Sequence, residues 1–329
     1  MTAKMPKIFV TRRLPEGAMQ MLNENFEVQC NPHDRVLTRQ ELLDGVKGKD
    51  GILPLLTDRI DDELLDAAGA QLKVVANYAV GYNNIDVPAC TRRRIPVTNT
   101  PGVLTDTTAD LAMTLLLAVA RKVVPADAYV RAGKYQGWAP LLFLGTDVHH
   151  KTLGIMGFGR IGFALAKRAA GFEMNIIYHD SVRAAPELES KVGAKFVDKA
   201  TLLDQADFIS MHVPLMPETH HFISSPELAA MKSSAYLINT SRGEVVDEKA
   251  LVKALQKGEI AGAALDVFEF EPAIEKELTL MDNVVIVPHI ASASIETRTK
   301  MGLVAAENLV AVLINGSKPP NCLNPEVFY

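Results

Sequence analysis

The most constraining stretch of the chain is a strand that runs without pause into a glycine turn and a helix. Leu153-Gly154-Ile155-Met156 is followed by Gly157-Phe158-Gly159-Arg160-Ile161-Gly162. Then come the helical pattern Ile161–Phe172, a second apolar run Asn175–His179, and Asp180, 18 residues after Gly162. Two apolar runs joined through one amphipathic helix form a right-handed βαβ unit with parallel strands. A parallel sheet must be covered by helices on both faces, so this part of the chain is α/β. Each residue of the turn has physical work to do. Gly157 permits the tight turn, Gly159 lets a pyrophosphate approach the backbone, and Gly162 lets helix and strand pack closely. Arg160, Ile161 and Gly162 open the helix, whose first N–H groups and positive dipole end face that phosphate. Asp180 can accept both ribose hydroxyls and would repel a 2′-phosphate. The reading is a dinucleotide site with NAD(H) preferred; Arg183 nearby leaves NADP(H) open.

The same alternation extends in both directions. Before the glycine turn, strands are expected at Lys7–Val10, Phe26–Gln29, Gly51–Leu53, Leu72–Ala76 and Ile95–Asn99, with helices near Glu16–Asn23, Thr38–Val46 and Asp61–Ala68. None of these turns carries a glycine fingerprint. A long helical pattern follows from about Asp106 to Ala132, where Pro125 should bend or interrupt it. Further strands are expected at Phe208–His212, Ala235–Asn239, Gly262–Val267 and Val284–Val287, and a last helix near Ser294–Ile314. Val213, just past one strand end, is counted with the cofactor-binding residues.

Composition narrows the function. With 34 Lys and Arg against 39 Asp and Glu, the chain has no basic field to attract nucleic acid. Its densest apolar stretch, Leu111–Ala120, is too short to span a bilayer, so no membrane partner is expected. The N-terminal residues show no apolar leader, and three scattered cysteines, Cys30, Cys90 and Cys322, fit a reducing compartment. A cytoplasmic enzyme is expected. No metal site is expected either: the His149-His150 and His220-His221 doublets lack ligand spacing, because adjacent residues diverge on strands and helices.

In an open parallel sheet, ligands sit outside the carboxyl ends of the strands. Arg242, Asp266 with Glu271, and His289 follow three successive strand ends. That set suits reduction of a 2-oxo acid. Protonated His289 can supply the proton that the developing alkoxide needs. Glu271, bonded to the other ring nitrogen, would fix the tautomer. Arg242 offers a planar fork for a carboxylate and polarises the carbonyl. Ile52, Leu53, Leu55 and Leu56 either line a small apolar pocket or form strand core; Leu53 is taken as a substrate contact.

With these residues on the page, the chain resembles the D-isomer-specific 2-hydroxyacid dehydrogenases, and within them the glyoxylate and hydroxypyruvate reductases. The motifs are NYAVGYNNID at Asn77–Asp86, TNTPGVLTDTTADLA at Thr98–Ala112, GIMGFGRIG at Gly154–Gly162, NTSRGEVVDE at Asn239–Glu248, ALDVFEFEP at Ala264–Pro272 and VPHIAS at Val287–Ser292. The resemblance implies two Rossmann-like and flavodoxin-like parallel-sheet domains with an active-site cleft between them. Residues 1–100 and 291–329 would bind substrate, and residues 101–290 would bind NAD. It further implies that Val80 and Gly81 hold the substrate carboxylate, that Thr108, Thr240 and Asp266 line the nicotinamide end, and that the chain is a homodimer in which Trp138 reaches the partner.

Departures separate this chain from relatives. Formate dehydrogenases have Gln where Glu271 stands, and phosphite dehydrogenases have a lysine where Val80 stands. Pyruvate and 2-ketogluconate remain open as substrates. The alternative of another class is an NAD-sensing binding protein of the corepressor type, which binds cofactor without reducing a 2-oxo acid quickly.

Overall fold

In a computed structural model, residues 5–329 are described. The reading of a missing leader rests partly on residues 1–4, which lie outside the described residues. In chain order the elements are β1 (Lys7–Val10), α1 (Glu16–Asn25), β2 (Glu27–Cys30), α2 (Arg39–Val46), β3 (Gly51–Leu53), α3 (Asp62–Ala68), β4 (Val74–Ala76), α4 (Val87–Arg92) and β5 (Val97–Thr98). Then follow α5 (Thr105–Ala120), α6 (Val123–Arg131), β6 (Thr152–Met156), α7 (Arg160–Ala170), β7 (Asn175–His179), α8 (Pro186–Val192), β8 (Lys195–Phe196), α9 (Lys199–Gln205) and β9 (Phe208–Met211). The chain finishes with α10 (Ser225–Ala230), β10 (Tyr236–Asn239), α11 (Glu248–Lys257), β11 (Gly262–Leu265), β12 (Val284–Ile286) and α12 (Ile295–Leu313). Two compact units result. One runs to Leu104 and resumes at Ser292–Tyr329; the other is Thr105–Ala291.

The first unit holds a five-stranded sheet in the order β2-β1-β3-β4-β5, parallel throughout. This is the flavodoxin-like order. Its helices begin where capping side chains allow. Thr38 and Glu41 form a reciprocal box at the start of α2, Asp61 accepts from Leu64 N–H before α3, and Ser294 accepts from Thr297 N–H before α12. α12 returns to this unit and buries Ala305, Ala306 and Leu309 in the same core as Ile8, Val10, Leu53 and Val74.

The second unit holds a seven-stranded parallel sheet in the order β12-β11-β10-β9-β6-β7-β8. Strand order reverses between β6 and β9, which places a crevice at their carboxyl ends. β9, β10 and β11 are buried along their whole length, as expected for strands covered on both faces.

The expected interruption of the long helix is present, just before Pro125. The long helix breaks at Lys122, which takes a left-handed conformation at φ 51°. Pro125 lies in the first turn of α6, where its missing N–H would have had no intrahelical partner and so costs little. The short elements α4, α8 and β8 were not anticipated, since each is too brief to show a period. No helix among the described residues is long and apolar enough to cross a membrane.

Candidate active site

The glycine turn follows β6. Gly157 sits at φ 93°, and a Cβ there would lie 2.7 Å from the His212 carbonyl carbon. The turn therefore abuts the end of β9 at the crevice. A Cβ on Gly162 would lie 2.2 Å from the Gly157 oxygen, so α7 can approach β6 only without one. A Cβ on Gly159, by contrast, would meet nothing within 4 Å. Space is open where a phosphate would approach, and no side chain caps α7. Asp180, at the end of β7, accepts from the Phe158 N–H at 2.7 Å, which holds its carboxylate beside the turn. Arg183 is engaged elsewhere: its guanidinium grips Glu189 through two bonds of 2.9 Å. Those bonds, with a 2.6 Å bond from the Tyr178 hydroxyl, hold the Glu189 carboxyl down at about 2.

Around the same edge, two buried polar atoms have no hydrogen-bond partner among the described residues: Thr240 Oγ1 and His212 Nδ1. A buried polar group left unpaired is costly, so each is a seat for a polar ligand atom. Burial pushes the His212 imidazole down to about 4, so the ring is neutral near pH 7; its Nε2 meets Ser210 Oγ at 2.9 Å. His212 was missed by the sequence reading, since a histidine after a strand carries no signal until burial is known. Val213 follows it and is half-buried, and Thr108 is buried on α5. The open space at Gly159, the uncapped helix, Asp180 and the orphaned atoms together fit a nicotinamide dinucleotide.

Arg242, Glu271 and His289 follow the adjacent strands β10, β11 and β12. Asn239 shapes the first of these ends: its side chain donates to the Arg242 carbonyl at 2.8 Å and accepts from Ser241 N–H at 3.0 Å. Gly243 then lets this turn lie against the Phe268 backbone, 1.9 Å from where a Cβ would stand, which brings the Arg242 and Glu271 segments side by side. Burial lowers the Arg242 pKa against the opposing charges of Glu244 and Glu271, although a guanidinium stays cationic.

His289 Nδ1 lies 3.0 Å from Glu271 Oε2, while Glu271 Oε1 accepts from the Phe268 N–H at 3.1 Å. Burial works against an ionised Glu271. The hydrogen bond and charge of His289, the Phe268 N–H and Arg242 together outweigh it and hold the carboxyl below its ordinary range. His289 itself sits at φ 52°, a left-handed conformation that needs support. Asp266 supplies it: its wholly buried carboxylate accepts from Ile290 N–H at 2.6 Å and Ala291 N–H at 2.9 Å, and its carbonyl accepts from His289 N–H at 2.9 Å.

In the first unit, Val80 and Gly81 lie in the loop after β4. Asn99 Nδ2 donates to the Val80 carbonyl at 2.8 Å and Asn77 Nδ2 to the Gly81 carbonyl at 2.9 Å. Since C=O and N–H of one trans peptide point opposite ways, pinning the carbonyls aims the N–H of the following residue away from Asn77 and Asn99. Leu53, at the end of β3 between β1 and β4, is fully buried in this unit's own core, while Leu55 and Leu56 are half-buried.

The premise about the histidine doublets needs correction at one of them. His220 and His221 lie in a turn, not on a strand or helix, and their rings stand 4.1 Å apart.

The chain is similar to known proteins along nearly its whole length. Residues 113–291 match the model of the D-isomer specific 2-hydroxyacid dehydrogenase NAD binding domain. The chain is 53% identical over 326 residues to a glyoxylate reductase of Thermococcus litoralis, covering 98% of each. A crystal structure of a glyoxylate reductase from Paecilomyes thermophila superposes with a TM-score of 0.86 at 32% identity, covering 99% of this chain and 100% of that one. An NADPH-dependent glyoxylate/hydroxypyruvate reductase from Sinorhizobium meliloti, solved with NADP and malonate, gives 0.85 at 33% identity and 98% coverage of both.

Proposed function

The chain belongs to the D-isomer specific 2-hydroxyacid dehydrogenases, and from that premise we propose that it reduces glyoxylate or hydroxypyruvate to the corresponding D-2-hydroxy acid. The observation that carries this reading is the Glu271–His289 pair, 3.0 Å apart on the sheet edge that also presents Arg242 and the glycine turn. Arg242 holds the substrate carboxylate and draws electron density from the 2-oxo group. Protonated His289 donates from Nε2 to the oxygen as it becomes an alkoxide, and Glu271 at Nδ1 stabilises the imidazolium and keeps the ring in place. The reduced nicotinamide, when bound, supplies the hydride. In the oxidative direction neutral His289 is the base. The first unit serves as the substrate domain, and its backbone N–H groups at Val80 and Gly81 are its carboxylate-binding donors.

The Thr105–Ala291 unit holds the cofactor. Gly157, Gly159, Arg160, Ile161 and Gly162 receive the pyrophosphate, and Thr108, Val213, Thr240 and Asp266 lie at the nicotinamide end. NAD(H) is the preferred form, because Asp180 repels a 2′-phosphate and Arg183 is held by Glu189 instead of standing free to bind one. The chain works as a cytoplasmic homodimer. Support for the dimer comes from α6, none of whose residues is buried, and from the exposed Trp138, Leu141 and Leu144 that follow it.

The test is steady-state oxidation of NADH and NADPH against glyoxylate, hydroxypyruvate, pyruvate and 2-ketogluconate. The highest kcat/KM with NADH and one of the first two acids supports the reading. A larger acid as best substrate, or NADH binding with no turnover on any, overturns it.

A further inference from the structure

We propose that His220, His221 and Glu269 form a binding site for a divalent transition-metal ion of the zinc type, because a turn and a strand end bring three ligand atoms together beside a cavity. His220 and His221 follow the short helical turn Pro217–Thr219. The turn is tied down by His220 N–H to Met216 O at 3.0 Å and His221 N–H to Glu244 O at 2.8 Å. His221 adopts φ 50°, and this bend is what lets neighbouring rings lie alongside each other, with planes 31° apart.

Glu269 arrives from beyond β11. Its Oε1 lies 2.8 Å from His221 Nε2, and its Oε2 accepts from the Glu248 N–H at 3.1 Å, which orients the carboxylate. By itself the His221–Glu269 contact is an ordinary side-chain hydrogen bond. The third donor changes its meaning: one ligand atom from each of the three residues lies within 4.8 Å of the others. Tetrahedral zinc with bonds near 2.0 Å holds its ligands about 3.3 Å apart. Rotation of the exposed His220 closes that difference.

The chemistry of the donors selects the ion. Two imidazoles and one carboxylate suit zinc and its neighbours, whereas magnesium and calcium demand all-oxygen shells. A cavity of about 370 Å³ borders His221, Glu269, Asp247 and Ser225, giving an ion a path in and room for a water as fourth ligand. Asp247 is itself held by capping α11, accepting from Ala250 N–H at 2.9 Å, so it adds charge to the cavity wall without being needed as a ligand. None of the three residues belongs to the proposed catalytic set, so metal binding here stands or falls separately from turnover.

Tag-free, EDTA-stripped full-length protein would be titrated with Zn²⁺ in competition with a chromophoric chelator, with a parallel titration in excess Mg²⁺. The expected result is one equivalent of Zn²⁺ per chain that Mg²⁺ does not displace. His220→Ala and Glu269→Gln should each weaken it at least ~10-fold, the loss seen even for partners one shell further out. Lys253→Ala, in the same cavity but bearing no ligand, should leave it unchanged. His220 is exposed, so its loss does not threaten the fold. Failure to bind one equivalent, or equal affinity in wild type and His220→Ala, would overturn the proposal.

Discussion

Replacing Asp266 with asparagine should loosen the turn that presents His289. The carboxylate offers two acceptors to two backbone donors, Ile290 N–H and Ala291 N–H. Asparagine keeps one oxygen and turns an NH2 group against the other donor, leaving a buried N–H without a partner. That costs about 1–3 kcal/mol. The negative charge is not what stabilises the turn. Burial raises the Asp266 pKa, and the bonds from Ile290 and Ala291 with the His289 charge offset only part of this. The two acceptors matter, so removing the charge returns part of the loss at neutral pH. A fall in Tm of about 2–12 °C follows at 2–4 °C per kcal/mol. A displaced His289 should lower kcat on the order of 10²-fold, and NADH affinity should weaken as well, since Asp266 is proposed to lie at the nicotinamide end.

The pH dependence gives an independent sign. With its native pKa raised, Asp266 binds a proton more readily folded than unfolded, so wild-type stability carries a term that falls as pH rises from about 3.9 through the native value. Asparagine has no such term. The stability gap between the two chains should be widest below pH about 4 and narrow above it. Denaturant unfolding across that range, beside steady-state kinetics, measures both effects. An Asp266→Asn chain with unchanged Tm and kcat, or a gap that widens with pH, would refute the reasoning.

Gly162→Ala places a methyl 2.2 Å from the Gly157 oxygen, so α7 must move; stability should fall by about 1–3 kcal/mol in thermal melts, with NADH affinity reduced by titration. Asp180→Ala should erode the preference for NADH over NADPH in kcat/KM ratios, and an unaltered ratio would remove that residue from the ribose. Leu141 and Leu144 are exposed on the single chain; if they lie in the proposed homodimer's interface, Leu141→Asp together with Leu144→Asp should shift light scattering from dimer towards monomer, because burying a charge there would be costly.

Much of the site could be read before the fold was known, because it rests on local patterns. The glycine turn, Asp180 and the three strand-end residues each follow from a strand, a turn and a spacing. The helix starts near Thr38, Asp61 and Ser294 are equally local, and the structure shows each of these residues capping its helix. What escaped depends on contacts distant in sequence. That Gly243 must leave room for Phe268, or that Asn99 pins the Val80 carbonyl, cannot be seen without the tertiary fold. Leu53 illustrates the same limit: its burial follows from β3's place between β1 and β4, which no local pattern reveals. His212 and the His220-His221 turn are likewise matters of burial and backbone bend, which leave no mark on composition or period.

The central claim is that His289, held by Glu271, protonates a 2-oxo acid as it accepts hydride. Stopped-flow mixing of enzyme–NADH with glyoxylate, in wild type and in His289→Ala, tests it most directly. Wild type should consume one NADH per site with one equivalent of hydroxy acid formed. The variant should bind NADH as before yet react about 10²–10⁴ times more slowly, the range for loss of a general acid. A variant that reacts as fast as wild type, or one whose NADH affinity collapses with its rate, would contradict the account.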